Sequence, residues 1–223
     1  MTAQPQRHPL PPVVQNYKVN EAELAAWRQQ RLGKVTASQV SSVFAKLKTG
    51  AYGASRETYM QQLLCERLTG LPTEGFTSAA MQHGIDTEPL ARDCYSAHTG
   101  DLVETCGFID HPTIVNCGAS PDGLVGFHKI LELKAPNTST ALEYILSRQI
   151  PHRYQCQIQL QLACTERAYA DFVSYDNRLP EHLQLLIIPV NRDNQMIQMM
   201  EEEIKKFLSE LEDRLNKLKE LKL

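Results

Sequence analysis

Apolar positions recur at helical spacing through the first hundred residues. EAELAAWRQQRLG predicts a helix ending at Gly33, and TASQVSSVFAKLKTG a second one running from Thr36 or Ser38 to Gly50. AYGASRETYMQQLLCERLTG reads as a loop and a helix stopped by Gly70. A long helical stretch follows from about Ser78 to His98, with Pro89 as a point of kinking or restart. The spacing then switches to period two. LVETCGFID, IVNCGAS, GLVGF and ILELKA predict short antiparallel strands separated by turn residues. ALEYILSRQI and HRYQCQIQLQLACT return to helical character around Pro151, and RAYADFVSYD and LQLLIIPV predict two more strands. From Asn194 to Leu223 the chain predicts an amphipathic helix. Ile197, Met200, Ile204, Phe207, Leu208, Leu211, Leu215 and Leu218 form its apolar stripe, which is expected to dock on the core.

Helices, a strand cluster, helices and strands again, without an internal repeat or linker, predict one α+β domain over residues 1–223 with a central mixed sheet. Residues 1–20, broken by proline, are expected to form an extended arm. A chain of 223 residues that is 42% hydrophobic supports one sizeable core. No apolar run reaches the roughly 18 residues of a membrane span, and the N-terminus lacks the apolar region of a signal peptide, so a cytoplasmic protein is expected. None of the six cysteines forms a CxxC pair, which favours reduced, buried thiols over a disulfide framework or a zinc or iron–sulfur site. The net charge of −3 does not advertise nucleic-acid binding, yet residues 1–60 carry eight basic against three acidic side chains. A local basic patch is compatible with an acidic whole.

The candidate chemistry lies in SPDGLVGFHKILELK, residues 120–134. Positions i and i+2 of a strand share a face, so Glu132 and Lys134 point one way and Leu131, Leu133 and Ala135 the other. Asp122 falls on the neighbouring strand of a hairpin. Two carboxylates placed close together repel unless a cation lies between them, and hard oxygen ligands favour Mg²⁺. The Leu133 carbonyl offers a further oxygen. Lys134 would either orient or deprotonate a water, or stabilise charge growing on a phosphate. Each of these residues also has a plainer reading: an ExK on a strand is most often a solvated pair, and PDG is a common turn. In RLGKVTAS, a helix starting near Ser38 would offer free N–H groups, Arg31 a two-pronged donor and Ser38 a hydroxyl for a phosphate, although a simple N-cap is the commoner use of Thr36 or Ser38.

PDGLVGFHKILELK resembles the PD-(D/E)xK nuclease motif. The wider chain is similar to the phage lambda exonuclease family, also described as YqaJ-like viral recombinases. The segments that carry the resemblance are WRQQRLGKVTASQV, GIDTEPLARDCYSAHTG, ASPDGL with ELK, YQCQIQLQLACT and the strand ending FVSYD, in that order. The resemblance implies a restriction-endonuclease-like core, with the mixed sheet flanked by helices. It implies a processive 5′→3′ exonuclease that degrades one strand of linear duplex DNA and leaves 3′ single strands for recombination by annealing. It implies Mg²⁺, two ions per site, with Mn²⁺ able to substitute.

Residue by residue, the resemblance makes Asp122 and Glu132 the metal ligands, to which the Leu133 carbonyl adds its oxygen, and Lys134 the catalytic lysine, with Glu88 and Gln157 beside them. Asp110 is a weaker match, because its spacing to Asp122 departs from the family pattern. Arg31, Ser38 and Ser120 match a pocket for the DNA 5′-phosphate, Lys34, Lys46 and Lys48 would flank the strand, and Met81 matches an apolar wedge at the duplex end. From the residues alone, Glu88 reads as a surface charge and Met81 as a core methionine. Gln155, Gln157, Gln159 and Gln161 alternate and cannot all share one helical face. The resemblance also implies a homotrimeric ring, duplex DNA with 5′-phosphorylated ends, a single-strand annealing partner and a phage or prophage origin. Two other functions stay open: a structure-specific endonuclease on the same core, and a non-catalytic subunit that binds DNA ends.

Overall fold

The computed structural model describes residues 21–47, 49–73 and 79–221, with the side chains of Glu21, Glu23, Ala80 and Met81 outside that description. The extended arm expected over residues 1–20 therefore lies outside it, as does Lys48. The N-terminal half contributes α1 (Glu21–Arg31), β1 (Val35–Thr36), α2 (Val40–Val43), α3 (Ala54–Thr69) and α4 (Ala79–Thr99). Then come β2 (Val103–Glu104), β3 (Ile109–Asp110), β4 (Cys117–Ala119), β5 (Gly123–Val125) and β6 (Lys129–Lys134). The chain continues through α5 (Thr138–Ser147), α6 (His152–Thr165), β7 (Tyr169–Tyr175), β8 (Leu185–Asn191) and α7 (Asn194–Glu220).

The strands form two mixed sheets where one was expected. The larger has the order β2-β5-β6-β7-β8, with β6 and β7 parallel and the other pairs antiparallel. The smaller has the order β1-β4-β3, with β1 parallel to β4. LVETCGFID, expected as one strand, is divided: Val103–Glu104 pairs with β5 and Ile109–Asp110 with β4. The chain crosses between sheets at Cys106 and Gly107, where no strand is formed.

The helix expected from Thr36 or Ser38 to Gly50 is a second correction. A 3-10 turn over Ala37–Gln39 leads into α2, which ends at Val43. Serines and β-branched valines hold a helix weakly. The end is sealed from outside, because Arg56 Nε donates to the Val43 carbonyl at 3.1 Å. A helix this short has little dipole at its N-terminus, and Thr36 makes no side-chain cap bond. α4, by contrast, runs unbroken through Pro89.

β6 lies in the middle of the larger sheet and is covered on both faces. Leu131 and Leu133 pack with Ala91 and Tyr95 of α4, whereas Ile130 packs with Ile158 and Leu162 of α6. Glu132 shares the face of Ile130 and is directed at α6. The apolar stripe of α7 docks as expected against α2, α3 and α6. Ile204, Phe207 and Leu211 are fully buried, and Tyr59 stacks on Phe207 with ring centroids 5.7 Å apart. Each such side chain contributes about 1.5–3 kcal/mol of burial. Leu218 departs from the expected stripe and is exposed at the end of the helix. The cysteines are free thiols; Cys65 is exposed, against the expectation of burial.

Candidate active site

The hairpin of β5 and β6 and the first turns of α6 converge on Glu132, which is fully buried. Gln157 Nε2 donates to its Oε1 at 2.6 Å and Gln161 Nε2 to its Oε2 at 2.5 Å. Lys134, two residues along the strand, places its Nζ against Glu132 Oε1. The Lys134 ammonium also lies over the Tyr154 ring, 5.0 Å from its centroid.

Asp122 stands just before β5. Its backbone N–H donates to the Leu131 carbonyl at 3.0 Å, and its Oδ2 accepts from the Leu133 N–H at 2.6 Å. Leu133 thus holds Asp122 through its amide. On α4, Arg92 donates to Glu88 Oε1 at 2.7 Å and to the Asp122 carbonyl at 3.2 Å, tying the helix to the hairpin.

Three carboxylates share this end of the sheet, and the field between them is unfavourable. Burial, then Glu132 and Glu88, push the Asp122 carboxyl well above the usual range, against the pull of Lys134. Burial also raises Glu88, partly offset by Arg92 and Lys134. Burial works to strip Lys134 of its proton, but Glu132 and Asp122 outweigh it and leave the ammonium above its ordinary value. Among the described residues no three His, Cys, Asp or Glu side chains stand in ready coordination geometry, because the Glu132 oxygens are turned to amides and to Lys134. The donor set itself fits a hard divalent cation: three crowded carboxylates set against two cationic side chains, Lys134 and Arg92.

A second polar cluster lies beside the first. The turn after α1 is gripped by α3. Glu66 Oε2 accepts from Gly33 N at 2.8 Å, and Arg67 Nε donates to the Gly33 carbonyl at 2.8 Å. Gly33 has φ of +67°, and a Cβ there would strike Arg67. This turn aims Arg31 across its own helix, with the guanidinium 4.1 Å from the Trp27 ring centroid. Arg31 donates to Ser120 Oγ at 3.3 Å and to Ser38 Oγ at 3.2 Å. Trp27 Nε1 donates to the same Ser120 oxygen at 3.0 Å. With two donors aimed at it, the Ser120 hydroxyl keeps its own proton to give. Among the described residues no carboxylate pairs directly with Arg31, and burial lowers its guanidinium from the ordinary value. Trp27, Arg31, Lys34, Thr36 and Ser38 line a cavity of about 180 Å³. The Glu66 carboxylate also lines this cavity, but its oxygens are engaged by the Gly33 N–H and the Gln62 amide. Among the described residues the Trp27 and Arg31 donors meet only the Ser38 and Ser120 hydroxyls there, a set that suits an anion.

The structure therefore brings together Glu88, Asp122, Glu132, Leu133, Lys134 and Gln157 in one cluster, and Arg31, Ser38 and Ser120 in another. Lys34 pairs with Asp110 at 2.7 Å, and Asp110 is spent on that exposed ion pair at the smaller sheet. Lys46 is exposed near Tyr52, outside both clusters. Gln161, Trp27 and Arg92 had no role in the sequence reading. Each sits four residues from a chosen one (Gln157, Arg31 and Glu88), which is the helical spacing that shares a face.

The YqaJ-like viral recombinase domain family matches residues 26–168. The chain belongs to this family. Both clusters lie inside the matched residues, from Trp27 to Gln161. Among solved structures, an alkaline exonuclease (LHK-Exo) from Laribacter hongkongensis is 46% identical, with a TM-score of 0.82 over 87% of this chain and 96% of that one. The same protein has been solved in complex with dAMP, with the same identity and coverage. A phage-related exonuclease from Haemophilus somnus 129PT shares the fold at 15% identity, with a TM-score of 0.65 over 83% of this chain and 96% of that one. No curated protein matches. The α+β architecture, mixed sheets flanked by helices, is thus that of these exonuclease structures, and the viral recombinase family fits a phage or prophage origin. Among the described residues no helix is long and apolar enough to cross a membrane.

Proposed function

We propose that this YqaJ-like protein is a metal-dependent DNA exonuclease that removes nucleotides from the 5′ end of one strand of linear duplex DNA. A DNA exonuclease is the activity its family and its 46% identical neighbour support. The finer reading is carried by one observation. Ser120 belongs to the anion cluster, Asp122 to the carboxylate cluster, and Pro121 alone separates them. A terminal 5′-phosphate held by Arg31, Ser38 and Ser120 leaves the next phosphodiester beside Asp122. That arrangement has no use in an enzyme that cuts within a strand.

Asp122, Glu132 and the Leu133 carbonyl would hold Mg²⁺, two ions per site, with Mn²⁺ as a substitute. Such an ion supplies charge neutralisation and Lewis acidity at the scissile phosphate. Lys134 donates to a phosphate oxygen as charge grows there. Gln157, partly exposed, turns its amide from Glu132 to the phosphate. Glu88 carries the third carboxylate, steadied by Arg92. The remaining 3′ strand would feed recombination by annealing, with a single-strand annealing protein as partner and three copies forming a ring around the DNA. These last features rest on the family resemblance, as do roles for Lys34, Lys46, Lys48 and Met81 along the DNA.

The test is digestion of linear duplex with Mg²⁺, labelled at either end, with and without a 5′-phosphate, beside a closed circle. Loss of 5′ label, faster with the phosphate, and an intact circle are expected. Cutting of the circle would replace this reading with an endonuclease. Binding to ends without hydrolysis would leave a recruiting subunit.

A further inference from the structure

We propose that Gln161 confines Glu132 to one metal-facing oxygen and so helps to set which cation the site accepts. This rests on the metal-dependent reading above. Three donors meet the Glu132 carboxylate, and they divide between its oxygens. Gln157 and Lys134 address Oε1, while Gln161 alone addresses Oε2. They differ in their freedom to leave. Gln157 is partly exposed and the Lys134 side chain is 23% exposed, so both can turn toward substrate. Gln161 has no exposed surface, and Ile158, Leu160 and Leu162 on the same helix are also fully buried.

The Gln161 amide has nowhere else to donate. Its Oε1 is buried and finds no partner among the described residues, so the bond to Glu132 is the one its side-chain amide makes. Breaking that bond would strand an amide N–H in an apolar site. The orientation is also forced, since the reversed amide would set its oxygen against a carboxylate oxygen. Oε2 therefore keeps one lone pair on a donor that cannot leave, whereas both donors on Oε1 can turn away, so Oε1 is the oxygen that opens fully to a cation.

A carboxylate limited to one oxygen suits a small octahedral ion such as Mg²⁺ or Mn²⁺. Ca²⁺ takes six to eight oxygens and readily accepts a carboxylate through both. Releasing Oε2 removes a restriction that weighs on Ca²⁺ more than on Mn²⁺. Gln161 is thus a positioning residue that acts through Glu132.

The experiment is calorimetric titration of Mn²⁺ and of Ca²⁺ into the chelator-treated full-length protein, its Gln161→Met, Gln161→Asn, Gln157→Met and Glu132→Gln variants. Thermal unfolding of each checks the fold. Methionine keeps the volume without a donor; asparagine keeps the polarity but falls short of Oε2. In both Gln161 variants the ratio of the Ca²⁺ Kd to the Mn²⁺ Kd should fall by about tenfold. Gln157→Met should leave that ratio where it is. An unchanged ratio in a folded Gln161 variant makes Gln161 a packing residue and overturns the proposal. Mn²⁺ binding that survives Glu132→Gln intact would overturn the metal reading, and the selectivity role with it.

Discussion

Strand β6 carries a lysine at each end, and the two ends pair their acids differently. At Lys129 the ammonium touches Asp101 at 2.6 Å and Asp171 at 3.1 Å, and lies 2.9 Å from the Tyr95 hydroxyl. Tyr95 in turn donates to Asp171 at 2.6 Å. Burial pulls Lys129 down, but Asp101, Tyr95 and Asp171 outweigh it, and Lys129 holds Asp101 below the usual carboxylate range. Both acids touch the lysine. At the other end Lys134 touches Glu132 and Arg92 touches Glu88, leaving Asp122 with a backbone amide as its side-chain partner among the described residues. A depression of about 750 Å³ beside Lys129 is the larger of the two cavities described, yet both of the acids that face the lysine there already touch it. Unmet charge marks a reactive site better than volume does.

Exchanging the lysines breaks the comparison most sharply. Lys134→Ala should slow DNA digestion by about 10²–10³-fold or more. Lys129→Ala should digest at the parent rate but lose roughly 1–3 kcal/mol of stability in urea denaturation, because two carboxylates are left unpaired. Equal rates for the two variants would dissolve the distinction.

The acids should respond with opposite signs. Folding raises the proton affinity of Asp122, so its ionised form costs stability at any pH above its unfolded value. In chelator at neutral pH, Asp122→Asn should gain stability. Asp171→Asn should lose about 1–2 kcal/mol by weakening a charge-assisted pair. Urea midpoints moving in the same direction for both would refute this. The anion cluster offers a smaller effect. Arg31→Lys loses the two-pronged donor and the contact with Trp27, and should lose about tenfold in preference for 5′-phosphorylated over 5′-hydroxyl ends.

The smallest effect belongs to the seam between the smaller sheet and α7. His111 Nδ1 accepts from Thr113 N and Ile114 N, each at 3.2 Å, and its Nε2 faces Glu201 Oε1 at 3.3 Å. Burial lowers its affinity for a proton from the ordinary 6.5, Glu201 opposing this and Lys205 and Arg192 adding to it. The folded pKa is thus below the unfolded one. The stability is complete above the unfolded value and drains away as pH falls below it. His111→Asn keeps an acceptor for the two amides, and should flatten the stability slope below about pH 6.5, by at most about 1.4 kcal/mol per pH unit.

The pairing of Glu132 with Lys134 was legible because strand alternation is local, and so was the α7 stripe. Gln161 was not. Helical spacing pairs Gln157 with Gln161 but equally Gln155 with Gln159, and the contact that selects Gln161 spans 29 residues. Lys129 between Asp101 and Asp171 is equally non-local. The false helix after Ser38 had helical spacing throughout, but Arg56 from α3 ends it at Val43. LVETCGFID alternates correctly for a strand, yet alternation does not say which sheet each half will join.

Ser120, Pro121 and Asp122 form a covalent ruler. Pro121 fixes its own φ, and the span from Ser120 to Asp122 is at most about 7 Å. Gly118 and Gly123 bracket it where a Cβ would run into Phe108 or Val103, so the strands on either side cannot drift. In the exonuclease reading, the length of each bite is therefore written into two peptide units and needs no moving part to measure it. On that reading, one residue inserted here would change what is released.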